Sequence, residues 1–391
     1  MIQLEEKDYN LLGIIAAFFM VGMMGTRPLV PLYTKELGVS SIEIGIVVSM
    51  YPLLSLFLAV HIGKVIDRIG VKKPLIWSSI IGSLSLMLPF IATNFAGIIA
   101  SQIIAGITMT FFVVAAQSYA GHSSKPSKRE QNIMKFSIGT AIGSFIGPLS
   151  GGYLADWFSS SLTFFILGAV SIFSALLALL LTEFEDVQPA KKRPPLGNLS
   201  STFRLLKISN VRRAFLISSL ILLGKDMFTA YFPLLALEFG LSSSSIGVIV
   251  SINALAGILI RWFMPQLIEW IGKSNVIVIS VFTAGLLFVS LPFFHHEVIL
   301  GCLSFLLGMG LGIGQPLSIS TTLNSLPKDR VAEGLGFRLT VNRFTQTTAP
   351  FVFGVVAHAF GMASVFYITG ALILIGSTKT RINEELLEKG T

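Results

Sequence analysis

Lys35-Glu-Leu-Gly-Val-Ser-Ser-Ile-Glu-Ile-Gly-Ile-Val-Val-Ser49 is answered by Leu237-Glu-Phe-Gly-Leu-Ser-Ser-Ser-Ser-Ile-Gly-Val-Ile-Val-Ser251, 202 positions further on. Glu36 pairs with Glu238, Gly38 with Gly240, Ser40 with Ser242, Gly45 with Gly247 and Ser49 with Ser251. The same offset joins Pro31 to Pro233, Gly70 to Gly272, Gly106 to Gly308, Pro148 to Pro350 and Gly152 to Gly354. An offset kept constant over most of a chain means two structurally matched halves.

The halves are too apolar for water. Hydrophobic residues make up 53% of the 391, only 12% are charged, and the mean hydropathy is +0.79. A soluble domain carries about 25% charged residues. Spanning a bilayer takes about 20 mainly apolar residues, and twelve stretches qualify: 11–33, 42–62, 74–93, 96–118, 132–156, 160–182, 212–236, 244–264, 274–294, 298–323, 333–359 and 362–379. Between the sixth and seventh, residues 183–210 are polar and hold Pro189, Lys191, Lys192, Arg193, Pro194 and Pro195, which keeps them out of lipid. The expectation is an all-α membrane protein with twelve transmembrane helices in two pseudo-symmetric six-helix bundles, residues 1–182 and 211–391, joined by a cytoplasmic linker at 183–210. Repeated halves in a hydrophobic chain mark a secondary transporter with its substrate site between them.

Basic residues set the orientation. With the N-terminus inside, the inner segments hold 21 Lys and Arg residues and the outer loops only Lys35. The positive-inside rule then places both termini in the cytoplasm of a multi-pass cell-membrane protein. The pI near 9.6 needs no nucleic acid, because anionic inner-leaflet lipids are partner enough for the basic surplus. The N-terminus, Met1-Ile-Gln-Leu-Glu-Glu-Lys-Asp8, carries no cleavable signal pattern, so the first span is expected to be retained. A lone Cys302 excludes a disulfide framework or a cysteine metal cluster, and the five His residues form no ligand set. No cofactor and no metal is expected. Nor is an enzyme: paired catalytic acids or a Ser/His set at one depth are missing.

After the second span the chain reads Gly63-Lys-Val-Ile-Asp67-Arg68-Ile-Gly70-Val-Lys72-Lys73. This resembles the signature loop of the major facilitator superfamily, at the expected end of the second of twelve helices. The resemblance implies a major facilitator fold and a gating role for Gly63, Asp67, Arg68, Gly70 and Lys72, with Asp67 at the start of the eleventh helix near Gly334, where a helix dipole favours a carboxylate. A worn copy, Pro265-Gln-Leu-Ile-Glu269-Trp270-Ile-Gly272-Lys273, offers Glu269 as acid but puts Trp270 in place of the Arg. The fifth span, Gly139-Thr-Ala-Ile-Gly143-Ser-Phe-Ile-Gly147-Pro148-Leu-Ser-Gly151-Gly152, resembles the Gly-rich motif of the drug/proton antiporter branch. Its Gly143, Gly147, Gly151 and Gly152 allow close helix approach, and Pro148 is expected to kink it. Arg27-Pro28-Leu-Val-Pro31 is similar to the same branch's first-helix motif. One departure stands out: Gln102 occupies the place, four residues before Gly106, where that branch carries an Arg thought to assist proton transfer.

A charge at bilayer depth costs about 2.5–3.5 kcal/mol on insertion scales, so each needs a reason. Arg27, Lys225, Asp226 and Arg343 fall at that depth, with Arg338 one to two turns in from the cytoplasmic side. Asp226 is the acid near a helix midpoint and the candidate for proton coupling, with a static buried ion pair as the alternative. Arg27, Gln102, Lys225, Gln315, Asn342, Arg343 and Gln346 are the candidate substrate contacts. The Arg343, Asn342 and Gln346 cluster together with Arg27 points to an anionic group on the substrate. A plainer alternative has Arg27 snorkelling outward and Arg338 inward. Two functions stay open: proton-coupled efflux of a small amphipathic or anionic compound by rocker-switch alternating access, or proton-coupled uptake of a small organic anion. In either case a monomer is expected, with a small molecule, protons and membrane lipids as partners. The offset fails where the charges sit: Arg27 matches Thr229, Lys225 matches Met23, Asp226 matches Met24 and Arg343 matches Ala141.

Overall fold

The computed structural model describes residues 6–121, 126–183, 204–326 and 330–383, and no strand occurs among them. The first half forms α1 (Glu6–Thr26), α2 (Leu29–Glu36), α3 (Ser41–Ile69), α4 (Lys72–Ile91), α5 (Phe95–Gly121), α6 (Pro126–Trp157) and α7 (Ser160–Leu179). The second forms α8 (Ser209–Glu238), α9 (Ser243–Ile271), α10 (Lys273–Ser290), α11 (Glu297–Asn324), α12 (Val331–Phe360) and α13 (Met362–Ser377). Taking α1 and α2 as one span, these are the twelve expected stretches in order.

The repeat holds to the residue in places. α3 and α9 begin and end 202 positions apart, and their closing glycines share a left-handed backbone, Gly70 at φ +80° and Gly272 at +81°. Gly38 and Gly240 agree likewise, at +76° and +78°. Only glycine enters that region without a steric penalty, so the turns are preserved because glycine is.

The first span departs from its copy. It breaks at Arg27-Pro28 into α1 and α2, whereas α8 runs unbroken from Ser209 to Glu238. Pro28 has no N–H to give the preceding turn, while its counterpart, Ala230, does. Pro148 sits inside α6, which runs from Pro126 to Trp157. Among the described residues, nine spans are long and apolar enough to cross a membrane, and α13 is a shorter apolar helix. α6 and α12, the fifth and eleventh spans, have the length but are diluted by glycines and polar residues.

The described residues pack as two units, those up to 183 with 240–251, and those of 204–239 with 252–383. The first turns of α9 therefore belong with the first half of the sequence. The expected linker at 183–210 lies largely outside the described residues, its prolines and Lys191, Lys192 and Arg193 included.

In the first unit, Phe19 of α1 stacks on Phe112 of α5 with ring centroids 3.9 Å apart. α1 lies against α6 along glycines four apart: a Cβ added at Gly139 would collide with the Gly13 carbonyl oxygen, and one at Gly151 would sit 2.6 Å from that of Gly25. Helices this close bring backbone against backbone. Asp8 ties the start of α1 to the end of α7. It is 6% exposed and accepts from the Thr182 backbone N–H at 3.0 Å and from Thr182 Oγ1 at 3.1 Å. In the second unit, Phe228 stacks on Phe232, Phe288 packs on Phe366, and the Tyr231 hydroxyl donates to the Pro350 carbonyl at 2.5 Å.

Candidate functional site

Three groups of polar side chains stand out in these units. The first is built on Arg27, at the break between α1 and α2. Its guanidinium lies over the Tyr51 ring of α3, 4.2 Å from the centroid. An aromatic face is a favourable seat for a cation. Beside it, Ser55 Oγ lies 2.7 Å from Thr110 Oγ1 and donates to the Gly106 carbonyl at 3.1 Å. Gln102, one turn before Gly106 on α5, is 2% exposed.

The second group sits in the second unit, where α8, α11 and α12 meet. Arg338 is 3% exposed; its Nε donates to Ser318 Oγ at 3.0 Å and its Nη2 to Gln315 Oε1 at 2.5 Å. Inward snorkelling is therefore excluded, because both hydrogen bonds hold the guanidinium against α11. Gln315 Nε2 donates to the Ser218 carbonyl at 3.0 Å, and Ser218 Oγ donates to Asn342 Oδ1 at 2.7 Å. Arg261 of α9 donates from Nε to the Gly312 carbonyl at 3.3 Å, one turn from Gln315. The expected cluster on the eleventh span is divided. Asn342 joins Gln315 and Ser218, whereas Arg343 Nη1 donates to Gln346 Oε1 at 3.1 Å. Consecutive helical residues point about 100° apart, which is enough to send Asn342 and Arg343 to different partners. Asp226 is 9% exposed on α8, and Lys225 beside it is exposed.

The third group lies at the end of α6. The carboxylate of Asp156 accepts from the backbone N–H of Ser243 at 2.9 Å on one oxygen; on the other it accepts from the Ser244 N–H at 2.8 Å and Ser244 Oγ at 2.5 Å. One and two turns earlier, a Cβ at Gly152 would collide with the Ser243 carbonyl oxygen, and one at Gly247 with that of Pro148. Further along, Ser251 Oγ donates to the Phe145 carbonyl at 2.7 Å. The Gly-rich motif thus has two faces. Gly139, Gly143, Gly147 and Gly151 meet α1, while Pro148, Gly152 and Asp156 meet the start of α9.

The gating candidates lie at helix ends. Asp67 and Arg68 are exposed in the last turn of α3, Gly70 ends that helix, and Lys72 begins α4. Gly63 has open space where a Cβ would be, and Glu269 is exposed near the end of α9. Sequence reasoning missed Tyr51, Ser218, Arg261 and the capping by Asp156. Arg261 was open to discovery, as a cation eighteen residues into a spanning helix; Ser218 and Tyr51 were not, since serines and tyrosines are ordinary in such helices.

Twelve helices in two matched sets, with amide and guanidinium side chains buried within them, define a multi-pass membrane carrier. The profile of the Major Facilitator Superfamily matches residues 12–345, and the chain belongs to that superfamily, a family of transporters and not of enzymes. It is 26% identical over 369 residues to the multidrug resistance protein MdtG of Escherichia fergusonii, covering 92% of this chain and 88% of that one. Against a multi-drug resistance efflux pump PmrA homologue of Lactococcus lactis it is 25% identical, covering 91% and 89%. An uncharacterised transporter of the superfamily from Methanocaldococcus jannaschii is 23% identical over 95% of this chain and 96% of its own. Among solved structures, the nucleoside transporter NupG superposes with a TM-score of 0.76 at 17% identity, covering 95% of this chain and 97% of that one. A bacterial homologue of the human lysosomal transporter Spinster superposes at 0.77 and 13%, covering 98% of each. These two agree in fold.

Proposed function

We propose that this carrier exports small amphipathic or anionic compounds across the cell membrane in exchange for protons, by alternating exposure of a central site, with both termini in the cytoplasm and as a monomer. The observation that carries the reading is the α6 motif, Gly147-Pro148 with Gly151-Gly152, in a chain whose relatives named as multidrug efflux proteins align over about nine-tenths of its length.

Asp226 is the proposed proton carrier. A carboxylate in low dielectric resists ionisation and a nearby cation favours it, so alternating surroundings load and unload a proton. Arg27, Gln102, Lys225, Gln315, Asn342, Arg343 and Gln346 are proposed to line the substrate path. Asp67, with Gly63, Arg68, Gly70, Lys72 and the weaker copy at Glu269, is proposed to gate its inner side. A second reading, proton-coupled uptake of an organic anion, is favoured by the neutral Gln102 and the buried Arg338.

Everted membrane vesicles given ethidium from outside and energised by a proton gradient separate the two. The efflux reading expects gradient-driven ethidium accumulation, collapse by a protonophore, and loss in Asp226→Asn. Ethidium movement indifferent to the gradient refutes proton coupling.

A further inference from the structure

We infer that Arg338 and the remaining N–H of Gln315, beside Asn342, form a donor-rich subsite, which recognises the carboxylate of an amphipathic acid. The inference rests on the transport reading for its purpose but not for its geometry. An amide has two donors and one acceptor oxygen, and which end is which is ordinarily assigned, not seen. Here a guanidinium settles it. Arg338 Nη2 can only donate, so the group 2.5 Å away is the Gln315 oxygen. Gln315 Nε2 spends one N–H on the Ser218 carbonyl at 3.0 Å and has one left. Ser218 Oγ has a single proton, and it is closest to Asn342 Oδ1, at 2.7 Å against 3.2 Å to Gln315 Oε1. Ser218 thus links Gln315 to Asn342, whose amide reaches the cluster through a hydroxyl that can donate or accept.

Arg338 completes the pattern. Two of its five N–H groups are taken by Ser318 and Gln315, and the Ser318 hydroxyl proton is itself committed to the Ala214 carbonyl at 2.6 Å. Neutral acceptors hold the guanidinium but cancel none of its charge. Among the described residues no carboxylate stands within 4.0 Å of Arg338. Arg261, bonded to the Gly312 carbonyl one turn away, adds a second cation to the same stretch of α11. A buried cation with no carboxylate beside it and a neighbouring amide that has an N–H to spare is complementary to an acceptor-only anion. A carboxylate fits best, because its two oxygens match the planar fork. Gln315, half-buried where Arg338 and Asn342 are closed in, is the side from which the ligand approaches.

The test uses the purified full chain in detergent, where no gradient is needed, so it can fail independently of the efflux assay. Thermal unfolding is followed with 4-phenylbutyrate and with its neutral isostere 4-phenylbutanamide. The expected result is a rise in Tm with the acid and little or none with the amide. Gln315→Glu supplies a carboxylate from the protein itself. It is expected to unfold at or above the wild-type Tm without ligand and to lose the response to 4-phenylbutyrate. Arg338→Lys keeps the charge without the fork, and its half-saturating acid concentration should rise about tenfold. The inference is overturned by equal responses to acid and amide, by a Gln315→Glu variant that answers the acid like wild type, or by one whose unliganded Tm falls.

Discussion

Replacing Asp156 by Ala removes the carboxylate that α6 offers to the start of α9. Three donors lose their partner: the N–H groups of Ser243 and Ser244, and the Ser244 hydroxyl. The first N–H groups of a helix have no acceptor within it, and a carboxylate there also meets the positive end of the helix dipole. Loss of a capping side chain costs about 0.5–2 kcal/mol. Asp156 is exposed, so water replaces part of what is lost. A value of about 1.4 kcal/mol is therefore reasonable, which is a tenfold change in the local opening equilibrium. Hydrogen exchange reads that equilibrium amide by amide. In nanodiscs, the amides of Ser243 and Ser244 and the turn after them should exchange about tenfold faster in Asp156→Ala, with α10 and α13 unchanged. Asp156→Asn is a sharper probe. It keeps one acceptor oxygen where the carboxylate used two, so its exchange should fall between wild type and Ala. Ser244→Ala removes only the hydroxyl bond and should do least. Exchange in Asp156→Ala within about twofold of wild type would show that the carboxylate does not hold this helix end, whatever its distances.

Asp8→Ala should destabilise the first unit by about 1–3 kcal/mol, the cost of leaving the Thr182 donors without their acceptor, read as a lower Tm. An unchanged Tm would mean that water or backbone takes over. Gly139→Leu should prevent α1 from seating on α6, because even a Cβ would collide with the Gly13 carbonyl oxygen, and folded yield should fall steeply. Gly336→Ala, with nothing within 4 Å of the added Cβ, should raise stability by about 0.5–1 kcal/mol from lost unfolded-state freedom. Equal yields from these two glycine variants would contradict the packing argument. For Arg27, Tyr51→Phe should leave Tm near wild type since the ring remains, while Tyr51→Leu should lose about 0.5–2 kcal/mol of cation–π attraction. A larger loss in Tyr51→Phe would assign the role to the hydroxyl.

The 202-residue offset, the twelve apolar stretches and the spaced glycines were legible because each is imposed locally. A bilayer demands apolar length, a left-handed turn demands glycine, and close helices demand small side chains. Those demands act on a residue through its own backbone or its immediate solvent, so they leave a mark in the sequence whatever lies elsewhere. Which polar groups meet is another matter. That Asn342 meets Ser218 of α8 depends on a few tens of degrees of helix rotation, whereas Arg343 and Gln346, three residues apart on one helix, need no such placement. That Arg338 is buried and not reaching for the interface depends on Gln315 and Ser318 standing on the facing helix. Asp156 becomes a cap only because the start of α9 stands beside it. Such contacts join residues as much as 174 positions apart and are set by packing, with no local rule to announce them. The sequence determined the scaffold and its twofold plan; only the tertiary structure decided which charges and amides became partners, because hydrogen bonds depend on ångström distances that composition and spacing do not contain.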